Sequence, residues 1–157
     1  MDYNDIKIWI IDVDGTLTDS GIYYDEFGNE LKKFSTKDAA GIFAVRNCGM
    51  KVIVLTGREC KATQRRLTEL EVDLIVQNCK DKEQFIRAYT LNNGIECQNV
   101  GYIGDDLNDY VPMNICGYKA CPADACTEIR KSANYISPFM GGHGAVRDIL
   151  ENFLRTT

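Results

Sequence analysis

The residues best suited to chemistry in this chain are carboxylates standing where hydrophobic runs end. "IKIWIIDVDGTLTD" (Ile6–Asp19) leads an apolar run directly into Asp12 and Asp14, followed by Gly15 and Thr16. Unpaired carboxylates beside buried apolar surface are costly, so the pair implies a compensating cation or a function. Three further runs end similarly. "KVIVLTGR" ends in Thr56, Gly57 and Arg58, and "DLIVQNCKDK" leads to Lys80 and Lys82. "NVGYIGDDLND" ends in Asp105 and Asp106, with Asp109 one turn on. Several carboxylates, a hydroxyl and at least one ammonium are the set needed to hold a hard cation and a phosphate.

Mg²⁺ takes oxygen ligands and keeps several waters, so one or two carboxylates from separate strands can hold it. Beside a cation a carboxylate stays ionised and can attack phosphorus. A second carboxyl two residues on can serve as general acid and then general base. Thr56 and backbone amides suit phosphoryl oxygens, and a lysine can balance charge in the transition state. Lys82 falls in the first turn of a predicted helix, where the macrodipole disfavours a cation, and reads equally as a solvated lysine between Asp81 and Glu83.

These residues must be positioned by alternating elements. Strands are expected at Ile6–Ile11, Lys51–Thr56, Asp73–Gln77, Asn99–Asp106 and Gly117–Cys121, with a short one in "NYIS". Helices are expected in "AAGIFAVRNCG", with Ala39, Ala40, Ile42 and Phe43 on its apolar face, and over Arg58–Leu70, with Ala62 and Leu70 toward the core. Further helices are expected over Lys80–Gly94, in "ADACTEIRKSA" and in "GAVRDILENFL". This alternation predicts an α/β fold with a mostly parallel sheet, and such sheets bind ligands beyond the carboxyl ends of their strands. One insertion breaks the pattern: "GIYY" and "ELKKF" flank the turn-forming "DEFGN", which predicts a β-hairpin directly after Asp12 and Asp14.

DxDGT after a first strand, Thr in "LTGR" after a second, Lys before a helix and GDDxxD after a fourth resemble the four motifs of the haloacid dehalogenase superfamily. They stand in the same order over nearly the whole chain. The resemblance implies a Rossmann-like fold, Asp12 as the nucleophile forming an aspartyl-phosphate, and Asp14 as acid and base. It implies Thr56, Gly57 and Lys82 as phosphate contacts, and Mg²⁺ held by Asp12, the Asp14 carbonyl and Asp105, with Asp106 and Asp109 in support.

Longer stretches, "DVDGTLTDSGIYYDEFGNELKKFSTKDAAGI", "TGRECKA", "GDDLNDY" and "GGHGAVRDI", are similar to the small capless subgroup that dephosphorylates 3-deoxy-D-manno-octulosonate (KDO) 8-phosphate. Close relatives of that subgroup act on nine-carbon keto-sugar-acid phosphates. The resemblance implies a single domain over 1–157, with a hairpin flap at about 16–34 and no large cap. It also implies a homotetramer in which neighbouring subunits cover the site. Nine-carbon members carry Glu after Thr-Gly and Lys further along that helix. Arg58 and Glu69 stand here instead, which favours the eight-carbon acid. Arg58 and Arg66 suit a substrate carboxylate, since Arg recognises planar oxyanions, although Arg66 reads equally as a solvated helix residue. A non-catalytic oligomerisation or regulatory domain is the alternative of a different class. The joint presence of Asp12, Asp14, Thr56, Lys82 and Asp105 weighs against it.

Composition agrees with a small-molecule enzyme. The chain has 157 residues and a formal net charge of -5, with scattered Lys and Arg, which argues against nucleic-acid binding. No apolar stretch approaches about 18 residues, so no membrane span is expected, and the acidic first residues do not read as a secretory signal. Seven cysteines without a CxxC pair, and one histidine, disfavour a zinc site and read as free thiols in the cytoplasm. "GGHGAV" places glycines before a helix and could bind an anion, but it lacks the Lys-Ser/Thr of a P-loop, and His143 reads as a loop residue.

Overall fold

The computed structural model describes residues 5–156. Residues 1–4 and 157, the ends of the expected 1–157 domain, lie outside the described residues. In chain order the elements are β1 (Ile8–Ile11), a hairpin of β2 (Tyr23–Tyr24) and β3 (Glu30–Leu31), α1 (Thr36–Asn47), β4 (Lys51–Leu55), α2 (Lys61–Glu69) and β5 (Leu74–Val76). Then follow α3 (Lys82–Asn92), β6 (Val100–Ile103), α4 (Leu107–Asn114), β7 (Tyr118–Cys121), α5 (Thr127–Ser132), β8 (Tyr135–Ile136) and α6 (Ala145–Thr156).

Six strands form one sheet in the order β5-β4-β1-β6-β7-β8, and every neighbouring pair is parallel. The chain steps outward from β1 through β4 to β5, then returns to the other side of β1 with β6. That reversal puts a crevice at the carboxyl end of β1, which is where the Asp12 loop emerges. Ile11 lies in register with Val54 and Ile103, so the ends of the three central strands lie side by side.

Because side chains alternate along a strand, the sheet carries a core on each face. Trp9, Ile11, Val52 and Val54 pack with Ile42, Leu67 and Phe153 on one face. Ile8, Ile10, Ile53, Leu55 and Tyr102 pack with Ile86, Met113 and Ile129 on the other. The continuous apolar runs of β1, β4 and β6 follow from being covered on both sides.

The helix boundaries and faces differ from the expectation in places. Ser35 caps α1, its Oγ accepting from Lys37 N at 3.2 Å, so the helix begins three residues before "AAGIF". Its buried face is Asp38, Gly41, Ile42 and Val45, while Phe43 and Ala40 are exposed. The reason is α6: a Cβ on Gly41 would come within 2.7 Å of the Arg147 backbone, so a glycine lets the two helices meet there. Similarly, α2 buries Thr63, Leu67 and Leu70, with Ala62 only partly covered.

The short α4 was not expected. Asp106 and Asp109 form its capping box, yet both residues read as chemistry in the sequence, and Pro112 lies inside the helix. The hairpin is present as expected: Tyr23 pairs with Leu31 and Tyr24 with Glu30, and an outer bridge joins Thr18 to Phe34. Asp25 closes its turn by accepting from Phe27 N, Asn29 N and Asn29 Nδ2.

Trp9, Tyr118 and Phe153 meet edge to face at centroid separations of 5.0–5.7 Å under the β1–β6–β7 sheet. Phe153→Ala is expected to destabilise the protein by about 3–5 kcal/mol. Urea unfolding followed by far-ultraviolet circular dichroism measures this; a loss below about 1 kcal/mol would show that the aromatic cluster is not a principal packing element.

Candidate active site

Asp12 follows β1 directly. Its amide donates to Ile103 O at 2.9 Å, which locks the strand end against β6. Gly15 then turns the chain with φ +91°, a conformation that favours glycine, and a Cβ there would overlap the Asp105 carboxylate. Thr16 reaches across and donates from Oγ1 to Asp105 Oδ1 at 3.0 Å. The loop that begins the hairpin is thereby tied to the end of β6.

Lys82 is the structural surprise among the sequence candidates. It is the first residue of α3, which Asp81 caps by accepting from Gln84 N at 2.8 Å. It is not a solvated residue of that turn. Its Nζ donates to Asp12 Oδ1 and to Asp109 Oδ1, each at 2.7 Å, and the side chain is 4% exposed. The unfavourable helix dipole is outweighed by two carboxylates in a buried setting, where Coulomb attraction is strong. Burial disfavours its charged form, but Asp12 and Asp109 more than compensate and hold the ammonium above its ordinary pKa.

Asp109 is the hub of the cluster. Its Oδ1 accepts from Lys82 and from Tyr102 Oη at 2.6 Å, and its Oδ2 accepts from Asp105 N at 3.1 Å. Both oxygens are thus engaged in holding other parts of the site. Carboxylate oxygens of Asp12, Asp105 and Asp109 lie within 4.8 Å of one another. Burial, then repulsion from Asp109, raises Asp12 from 3.8 to about 7 although Lys82 pulls the other way. Burial, then Asp12 and Asp109, raises Asp105 to about 8. An oxygen-only donor set with mutually repelling carboxylates fits a hard divalent cation such as Mg²⁺. Asp106 stands outside this cluster. It caps α4 through Leu107 N at 2.8 Å and lines the cavity above the carboxylates.

That cavity, ≈ 220 Å³, is bounded by Asp12, Asp14, Thr56, Gly57, Arg58, Asp106 and Asn108. Thr56 is buried at the end of β4, with its Oγ1 accepting from Arg58 N at 3.3 Å. Gly57 O accepts from Lys80 Nζ at 3.2 Å. Asp14 faces the hairpin: Lys32 Nζ pairs with its Oδ1, and Arg58 Nε stands 3.9 Å from its Oδ2. Arg66 is not brought to the cavity wall. It pairs with Glu69 one turn on at 3.4 Å, as Arg65 does at 3.2 Å, which accounts for the acidic residue at that position. The GGHG loop borders a different cavity, of ≈ 250 Å³, with His143, Gly144 and Arg147 in its wall. Asp38 Oδ1 accepts from Arg147 N at 3.1 Å at the start of α6, and His143 Nδ1 meets Gly141 O at 2.7 Å.

Asn108 lines the cavity, Lys32 and Glu30 pair with Asp14 and Arg58 in its wall, and the motifs single out none of the three. For Lys32 and Glu30 the available signal was the alternation of "NELKKF" just after a turn, which puts them on one hairpin face. Asn108 carries no such signal, because the helix presenting it is only eight residues long and contains Pro112.

A parallel sheet with this carboxylate and lysine cluster at its central strand ends is the arrangement of a haloacid dehalogenase-type phosphatase. The comparisons agree. No protein-family model matches the chain. It is 34% identical over 149 residues to the 3-deoxy-D-manno-octulosonate 8-phosphate phosphatase KdsC of Escherichia coli K12, covering 95% of this chain and 79% of that protein. The crystal structure of the corresponding phosphatase from Moraxella catarrhalis, in complex with magnesium, phosphate and KDO, superposes with a TM-score of 0.94 at 34% identity. That match covers 99% of this chain and 89% of the other. The cobalt-bound phosphatase of Haemophilus influenzae gives 0.92 at 30% identity, covering 99% and 91%. The chain belongs to the 3-deoxy-D-manno-octulosonate 8-phosphate phosphatase family.

Asp12 and Asp105 bind protons more tightly when folded than at the ordinary carboxylate value of 3.8. Ionising them therefore costs stability. That stability is present below the ordinary value and is lost as pH rises through about 7 and about 8. Thermal melts of metal-free protein are expected to show a lower Tm at about pH 9 than at about pH 5, with saturating Mg²⁺ raising Tm more at the higher pH. A Mg²⁺ effect independent of pH would contradict this account of the cluster.

Proposed function

We propose that the protein hydrolyses the phosphate monoester of a 3-deoxy keto-sugar acid, KDO 8-phosphate, by way of an aspartyl-phosphate on Asp12. The observation that carries this reading is the geometry of Asp12. It is buried at the end of the central strand, held by Lys82 at 2.7 Å, and shares one cavity with Asp14 and Thr56. The family supplies the substrate: a relative of the same fold is described in complex with magnesium, phosphate and KDO.

Thr56 Oγ1 and the Gly57 amide are suited to receive phosphoryl oxygens, and Lys82 to offset their charge. Asp12 attacks phosphorus, an Asp12 O–P bond forms, and the P–O bond to the sugar breaks. Asp14 passes its proton to the leaving alkoxide. Asp14 then takes a proton from water as that water attacks phosphorus, releasing phosphate and restoring Asp12. Asp12, Asp105 and the Asp14 carbonyl would hold Mg²⁺, which supplies charge neutralisation at the phosphoryl oxygens. Asp109 keeps Lys82 and the Asp105 loop in place, and Asp106 supports the wall through α4.

Arg58 lines the cavity and is suited to meet the substrate carboxylate. Arg66 is assigned to α2's own ion pairs. Two further features belong to the reading. Phe27 and Leu31 on the hairpin are 81% and 51% exposed, which supports a homotetramer whose neighbouring subunits cover the site. Seven free thiols support a cytoplasmic location, and no helix among the described residues is long and apolar enough to cross a membrane.

Asp12→Asn is expected to lower kcat by at least about 1,000-fold while leaving the circular dichroism spectrum and Tm transition intact. Full turnover by a folded Asn variant would eliminate the aspartyl-phosphate. For the substrate, kcat/KM is expected to be highest for KDO 8-phosphate, lower for a nine-carbon keto-acid 9-phosphate and lowest for an aryl phosphate, all dependent on Mg²⁺. Preference for the nine-carbon compound would reassign the substrate. Sedimentation velocity is expected to show a tetramer at micromolar concentration, and a monomer there would remove the shared site.

A further inference from the structure

Glu30 stands outside every motif of the sequence, yet its carboxylate joins the two cations that face Asp14. Its Oε2 accepts from Arg58 Nη2 at 2.8 Å, and its Oε1 lies 3.2 Å from Lys32 Nζ. Lys32 in turn pairs with Asp14 Oδ1, and Arg58 Nε approaches Asp14 Oδ2. Two anions and two cations thus form a closed ring, of which Asp14 and Arg58 line the cavity. The hairpin geometry builds it. Glu30 and Lys32 are two residues apart, so both point to the same face, while Leu31 between them points outward and is half exposed. Tyr24, paired across from Glu30, lies on the same face of the hairpin.

The exposures show what Glu30 contributes. The Lys32 side chain is 1% exposed, that of Glu30 16%, and that of Arg58 45%. An arginine this open keeps many rotamers unless a partner selects one, and a bidentate-capable carboxylate does so. Burial raises the Glu30 carboxyl, but Arg58 and Lys32 outweigh it and hold the group below its ordinary value, so it stays charged. The hairpin itself has only two paired positions per strand and could not hold its place over the site by sheet pairing alone.

We propose that Glu30 is a positioning residue that fixes Arg58 and Lys32 on either side of Asp14, docks the hairpin beside the cavity, and so presents the Arg58 guanidinium in the cavity wall to the anionic organic half of the substrate. Glu30 does not touch the phosphoryl group. Its effect therefore falls on binding of the sugar acid, and the phosphoryl chemistry at Asp12 and Lys82 proceeds without it. This inference rests on the keto-sugar-acid reading above for its kinetic consequence, but the docking of the hairpin stands apart from it.

The test uses the full-length Glu30→Gln variant, which keeps shape and removes charge, with Glu30→Asp as the conservative comparison. For KDO 8-phosphate, Glu30→Gln is expected to raise KM about tenfold with kcat within about twofold, and Glu30→Asp to recover part of the loss. For an aryl phosphate without a carboxylate, kcat/KM is expected to change less than about twofold. Equal losses on both substrates, or an unchanged KM for the sugar acid, would overturn the positioning role. Hydrogen exchange on substrate-free protein gives the independent readout: amides of Tyr23 and Leu31, the hydrogen-bonded pair of the hairpin, are expected to exchange at least about tenfold faster in Glu30→Gln, with β1, β4 and β6 unchanged. If wild-type enzyme itself does not prefer the sugar acid, the substrate reading fails, and the exchange result decides the docking. Unaltered exchange in the hairpin would then overturn it.

Discussion

Lys82 is the ion on which the architecture of the site rests. Asp12, Asp105 and Asp109 converge where three parallel strands end, and three carboxylates in a buried setting repel one another by several kcal/mol if left alone. One ammonium, bonded to two of them at 2.7 Å, makes the cluster tolerable in the folded chain. It does not neutralise it. Asp12 and Asp105 remain raised to about 7 and about 8, so the cluster retains an unmet demand for positive charge that a divalent cation answers. The ammonium that permits burial stands 2.7 Å from Asp12, the residue proposed above to attack phosphorus.

The rest of the fold can be understood as holding that ion pair in register. Asp12 arrives on β1, Asp109 on α4 and Lys82 on α3, three elements far apart in sequence. The two-faced core fixes the sheet, and Tyr102 Oη and the Asp105 amide lock Asp109 from the sides. Thr16 couples the start of the hairpin to Asp105, and Gly142 N donates to Thr16 O at 3.1 Å, so the loop before α6 braces the same turn. A rigid base of strands and helices thereby carries a small hairpin held largely by charge. That division suits an enzyme that must keep its reacting atoms still while admitting a polar sugar acid.

Much of this was legible in the chain. The apolar runs with period two or none, ending in Asp or Thr-Gly, specify buried parallel strands because a strand covered on both faces leaves no room for polar residues until it emerges. The hairpin was legible because Asp25, Gly28 and Asn29 supply turn chemistry between two short β-prone runs. What misled were residues with two possible employments. Asp106 and Asp109 cap a helix as well as face the site, so α4 went unseen, and Phe43 and Ala40 follow helical spacing but lie away from α6. Arg66 reads equally as a substrate contact and as a solvated helix residue, and in the fold it pairs with Glu69 on the same helix at 3.4 Å.

By itself the sequence determined the class of fold, the order of the strand ends, and which residue types those ends carry. These follow from local hydrophobic pattern and turn chemistry, which act over a few residues. Only the tertiary structure decided that Lys82 is buried between Asp12 and Asp109 and that Glu30 and Lys32 reach back to Arg58 and Asp14. The physical reason is the range of the forces involved. A buried ion pair joins residues 70 apart in sequence, and its energy depends on burial and distance, which no local pattern encodes.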